Sequence, residues 1–103
     1  MAFSVKQILY ECASATCTPD TRKKKVRRND IVLMIAKGID AKIVFTAGSP
    51  FLSGKTTISI PKGTIAAEFV DPAAPKKSYP YTLTCKNPFC AARADPPEMI
   101  VEG

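Results

Sequence analysis

The chain contains no histidine and no tryptophan. Without imidazole there is no Ser-His or Cys-His nucleophilic pair, no His general base and no His-ligated metal site. It also lacks any apolar run near the roughly 18 residues that span a bilayer. The first residues, Met1 to Lys6, carry neither a basic stretch nor an apolar core of the signal-peptide kind. The sequence therefore reads as a cytoplasmic protein or as an excised or mature exported domain. At 103 residues, 46% hydrophobic and 23% charged, it is sized for one globular domain, residues 1–103, around one core.

The net charge of +6 is local. Arg22, Lys23, Lys24, Lys25, Arg27 and Arg28 supply all of the excess, since the other nine basic residues balance nine acidic ones. Such a patch suits phosphates or acidic partners. No aromatic residue is interleaved with it to stack bases, so nucleic acid is disfavoured and a lysine-guarded edge strand is the plainer reading. A protein or an acidic ligand stays open as a partner.

The pattern is β throughout. No stretch of 11 residues shows a capped 3.6-residue period free of Pro and Gly. Phe3, Val5, Ile8 and Tyr10 alternate but switch parity near Gln7, which predicts a bulge. Lys23 to Arg27 forms a short strand ended by the turn pair Asn29-Asp30. Residues 31–36 are apolar on both faces, as in a central strand. Strands follow at 42–46, 57–60 and 64–70. Tyr79, Tyr81, Leu83 and Cys85 alternate strictly, residues 86–97 form a Pro-bearing loop, and 98–101 is the last strand. Seven or eight short strands at this spacing predict an all-β sandwich or small barrel.

Several pieces in order resemble the cupredoxins, the β-sandwich family of small blue copper proteins. Arg28-Asn29-Asp30-Ile31-Val32 resembles that family's turn into a central strand. Ala41-Lys42-Ile43-Val44-Phe45 is similar to the strand that begins with a ligand His and ends in a core Phe. The Tyr79 to Cys85 alternation is similar to the strand running into the copper loop, and residues 95–101 to the final strand. The resemblance covers residues 3–102 and implies a cupredoxin-like or immunoglobulin-like β-sandwich. It does not carry the copper site over. Ala41 stands where the first His belongs, Cys85 matches the Cys, residues 86–92 offer no His, and Met99 lies in the strand beyond. The expectation is the scaffold without blue copper.

Gly54-Lys55-Thr56 lacks the spacing and the helix of a phosphate loop. No carboxylate pair stands out. The cysteines are more informative, forming two pairs of equal spacing, Cys12-x4-Cys17 and Cys85-x4-Cys90. Under the resembled topology both pairs fall at one end of the sandwich. Disulfides, local or crossed, are the leading reading. A four-cysteine zinc site is the second, and free thiols are the third. The candidate site is placed at residues 12–18, Ala41 and residues 86–94, with Phe89 as core cap or exposed contact. The expected function is a non-catalytic binding or interaction module without cofactor. The alternative is a thiol-based zinc-binding or redox protein.

Overall fold

A computed structural model describes residues 4–93 and 95–103. Phe3, the first residue of the expected alternation, and Ala94, the last of the candidate loop, lie outside the described residues. Among the described residues nine strands form two sheets: β1 (Val5–Ala13), β2 (Thr16–Pro19), β3 (Lys23–Arg27), β4 (Ile31–Ala36), β5 (Ala41–Phe45), β6 (Thr57–Ile60), β7 (Ile65–Phe69), β8 (Ser78–Cys85) and β9 (Glu98–Glu102). The first sheet has the order β2-β1-β4-β7, the second β3-β9-β8-β5-β6. β1 pairs parallel with β4 and β3 parallel with β9, while the other pairs are antiparallel. No helix of the described residues is long and apolar enough to cross a membrane.

The inner faces follow the period of two that a half-buried strand requires. Ile8 and Tyr10 from β1, Val32 and Met34 from β4, Ile43 and Phe45 from β5, and Tyr81 and Leu83 from β8 interdigitate between the sheets. Four aromatic rings run through this core. Tyr10 meets Tyr81 edge-on at 6.4 Å, Tyr81 meets Phe45 at 5.3 Å, and Phe45 meets Phe51 edge-on at 5.5 Å.

Two expectations are corrected. The described residues form nine strands and not seven or eight, because residues 16–19 pair with β1 instead of lying in a loop. The β1–β2 hairpin turns on Ser14 and Ala15, both at positive φ (52° and 60°), the geometry of a two-residue hairpin normally signalled by Asn-Gly. Nor is there a bulge near Gln7. β1 runs in unbroken register from Val5↔Ile31 to Tyr10↔Ala36. The parity switch arises because Val5 faces out, 52% exposed, while Ile8 and Tyr10 face in.

The turn into β4 is held by Asp30, a charged side chain only 2% exposed. Its Oδ2 accepts the Arg27 N–H at 2.8 Å and its Oδ1 the Ser4 N–H at 3.0 Å. A buried carboxylate is tolerable when backbone donors replace water in this way. Asn29 supplies the positive φ of 70° that the turn needs.

Candidate functional site

β2 brings Cys17 to the same end of the sandwich as the end of β8. Past Cys85 the chain turns on Asn87, whose Oδ1 accepts the Phe89 N–H and whose carbonyl accepts the Cys90 N–H. The loop then lies along β2. Cys17 N–H donates to Ala91 O at 2.8 Å, and Ala91 N–H donates to Ala15 O at 2.9 Å. Arg93 Nη1 donates to Thr18 Oγ1 at 2.9 Å and its guanidinium pairs with Asp95. Asp95, held by its own backbone amide, then Arg93 and Arg22, keeps its carboxyl below the usual range.

These contacts place all four cysteines at one end, as two crossed disulfides. Cys12 bonds Cys90 and Cys17 bonds Cys85, with Cα separations of 5.9 and 5.6 Å. Each bridge ties the β1–β2 hairpin to β8 or its following loop, and so one sheet to the other. The sulfurs of Cys17, Cys85 and Cys90 lie within 4.8 Å of one another. Cys17, Cys85 and Cys90 are buried and Cys12 is half-buried. Ala41 faces Cys85 across the β5–β8 pair. A cavity of about 410 Å³ opens beside them, lined by Asp40, Lys42, Ser59, Thr84 and Lys86. Phe89 does not cap the core: it stands 83% exposed, because the Asn87 turn aims it away from the sheets.

The basic run is dispersed. β3 is an edge strand, and Lys23, Lys25 and Arg27 project from its outer face opposite Glu98, Ile100 and Glu102 of β9. Lys25 Nζ lies 3.9 Å from Glu102 and Arg22 Nε 2.9 Å from Asp95. Arg28 donates to Ala74 O at 2.8 Å, and Lys24 is half-buried. Alternation and these acidic neighbours split the six cations. Lys55 sits 3.8 Å from Glu68 and precedes strand β6, so the Gly54-Lys55-Thr56 segment opens no helix.

The feature that sequence reasoning missed is the outer face of the first sheet. Register places Val5, Ile31 and Phe69 in one row, Gln7, Leu33 and Ala67 in the next, and Leu9, Ile35 and Ile65 in the third. Only Gln7 among these positions is polar, and none is charged. Ile65 is 58% exposed and Phe69 56%, with Leu52, 62% exposed, beside Phe69 through its N–H bond to Phe69 O. The signal is the two-faced apolar run at 31–36, the pattern of a strand covered on both faces. Its outer side chains are instead only half-buried.

No protein-family model matches the chain, and neither does any curated protein sequence. Solved structures do match. A reduced Cu(I) form, at pH 4, of a proline-to-glycine variant of amicyanin is similar at a TM-score of 0.58 and 17% identity, covering 95% of this chain and 82% of that one. The Cu(I) form of a methionine-to-alanine amicyanin variant aligns with a TM-score of 0.58 and 18% identity over 99% and 86%. Dithionite-reduced auracyanin from the photosynthetic bacterium Roseiflexus castenholzii aligns with a TM-score of 0.52 and 13% identity over 97% of both chains. The fold is cupredoxin-like. At these identities the likeness concerns the fold alone.

Proposed function

We propose that this chain is a non-catalytic interaction module on a cupredoxin-like scaffold, with no blue copper site, and that it docks through the outer face of its β2-β1-β4-β7 sheet. The observation that carries the reading is the uncharged apolar grid from Val5 to Phe69. Outer faces of antiparallel and mixed sheets are ordinarily polar on a monomer.

The occupant is a second copy of the chain. A sheet face can pack on its own two-fold image, each apolar row meeting the other copy's rows. The edge strand β3 belongs to the other sheet, so face-to-face packing keeps Lys23, Lys25 and Arg27 of the two copies apart. A specific interface buries at least roughly 1,000–1,200 Å² over both partners, and Val5, Leu52, Ile65 and Phe69, each more than half exposed, are the apolar surface each copy offers toward it.

The donor chemistry supports the absence of copper. The chain has no imidazole, Ala41 occupies the position facing Cys85, and the Cys85 sulfur is spent in a disulfide. Zinc is disfavoured on the same ground, since a closed bridge offers no thiolate and no cysteine is free. Two bridges also favour an oxidising compartment.

Sedimentation of the wild-type chain and of an Ile65→Lys/Phe69→Lys variant tests the reading. Both positions are more than half exposed, so the variant should keep its fold and lose self-association.

A further inference from the structure

We propose that the crossed cysteines form a two-electron relay that accepts electrons from a dithiol of a partner protein. The relay rests on the sulfur geometry and is independent of the apolar face.

Four observations lead to it. Cys12 is the most accessible of the four, only half-buried, so its bridge to Cys90 is the one an outside thiolate reaches. The Cys90 sulfur lies within 4.8 Å of both sulfurs of the neighbouring bridge. Cys12 and Cys17 are direct partners across the β1–β2 hairpin. The Asp20 N–H bond to Leu9 O marks Leu9–Asp20 as a hydrogen-bonded pair, so by alternation Cys12–Cys17 is a non-hydrogen-bonded pair, the closer of the two kinds. Phe89, 83% exposed and adjacent to Cys90, gives a protein partner an apolar contact beside the reactive bridge.

A partner thiolate attacks Cys12 Sγ, the Cys12–Cys90 bond breaks, and Cys90 leaves with the electron pair. The partner's second thiolate attacks its own sulfur in the mixed disulfide and releases Cys12. The partner dithiol has then lost two electrons and two protons, and Cys12 and Cys90 have gained them. The Cys90 thiolate next attacks Cys85 Sγ. A Cys85–Cys90 bond forms, the Cys17–Cys85 bond breaks, and Cys17 leaves as thiolate and takes up a proton. This second step is redox-neutral. It moves the dithiol to Cys12 and Cys17 on the hairpin and unties the two sheets at that end.

Disulfide mapping tests the relay. The chain is treated with one equivalent of dithiothreitol or of reduced thioredoxin, quenched in acid, alkylated and cut with trypsin. Fragment 7–22 carries Cys12 and Cys17, fragment 78–86 carries Cys85, and fragment 87–93 carries Cys90. The relay predicts fragment 7–22 doubly alkylated and unlinked, with 78–86 joined to 87–93. Fragment 7–22 still joined to 78–86, with 87–93 alkylated, would overturn the second step. Fragment 7–22 joined to 87–93, with 78–86 alkylated, would overturn the first. Phe89→Ala should slow the reaction with thioredoxin about tenfold, a loss typical of a contact residue, and leave that with dithiothreitol unchanged. Equal rates for thioredoxin with either chain would overturn the assignment to a protein dithiol.

Discussion

Tyr10 Oη donates a hydrogen bond of 3.2 Å to Tyr81 Oη in the middle of the core. The two residues belong to different sheets, and neither side chain has any exposure. Removing the Tyr81 hydroxyl strands a buried donor, which costs about 1–3 kcal/mol. Tyr81→Phe should therefore destabilise the fold by that amount in urea unfolding. The double variant Tyr10→Phe/Tyr81→Phe should lose less than the sum of the two single variants, because it leaves neither hydroxyl without a partner.

The same pair sets an alkaline limit. Burial holds the Tyr10 hydroxyl well above the ordinary tyrosine value of 10.0 and pushes Tyr81 up to about 12. The unfolded chain ionises first, so this contribution is complete below pH 10 and falls as pH rises from there through the folded values. Melting temperatures should drop between pH 10 and 12. The drop should be smaller in the double phenylalanine variant.

Asp30 anchors the start of β1 and the end of β3 to one turn through two backbone amides. Asp30→Ala leaves both donors without their carboxylate, and the expected loss is about 3 kcal/mol in chemical denaturation.

Ala15 holds φ 60° without the freedom of glycine. An L-residue in this region is strained by about 1 kcal/mol or more. Ala15→Gly should raise the melting temperature by roughly 4–8 °C per kcal/mol recovered.

The hairpin strain explains what was legible in the sequence and what was not. β8 and β9 were readable because their alternation matches their burial, and β4 because six unbroken apolar residues after the Asn29-Asp30 turn mark a strand even though only one of its faces is buried. β2 was not, since Ser14-Ala15 carries no turn signature and four residues give little periodicity. Its pairing is reinforced by remote contacts, the Cys17–Cys85 bridge and the Ala91 backbone bonds. The clustering of the cysteines at one end followed from the resembled topology. Their crossed connectivity did not, because four cysteines allow three pairings and only the docking of residues 86–93 on β2 selects one. The apolar outer face was hidden because a sequence shows that both sides of a strand are apolar without showing whether anything covers the second side.

The most direct test of the central reading is sedimentation of the wild-type chain over a concentration series from about 1 to 500 μM, a range that spans weak to moderate homodimers. Docking through the apolar face predicts a monomer–dimer equilibrium within that range, and a monomer throughout for Ile65→Lys/Phe69→Lys with unchanged circular dichroism. A wild-type chain that stays monomeric across the series, or a lysine variant that dimerises as well as the wild type, would contradict it.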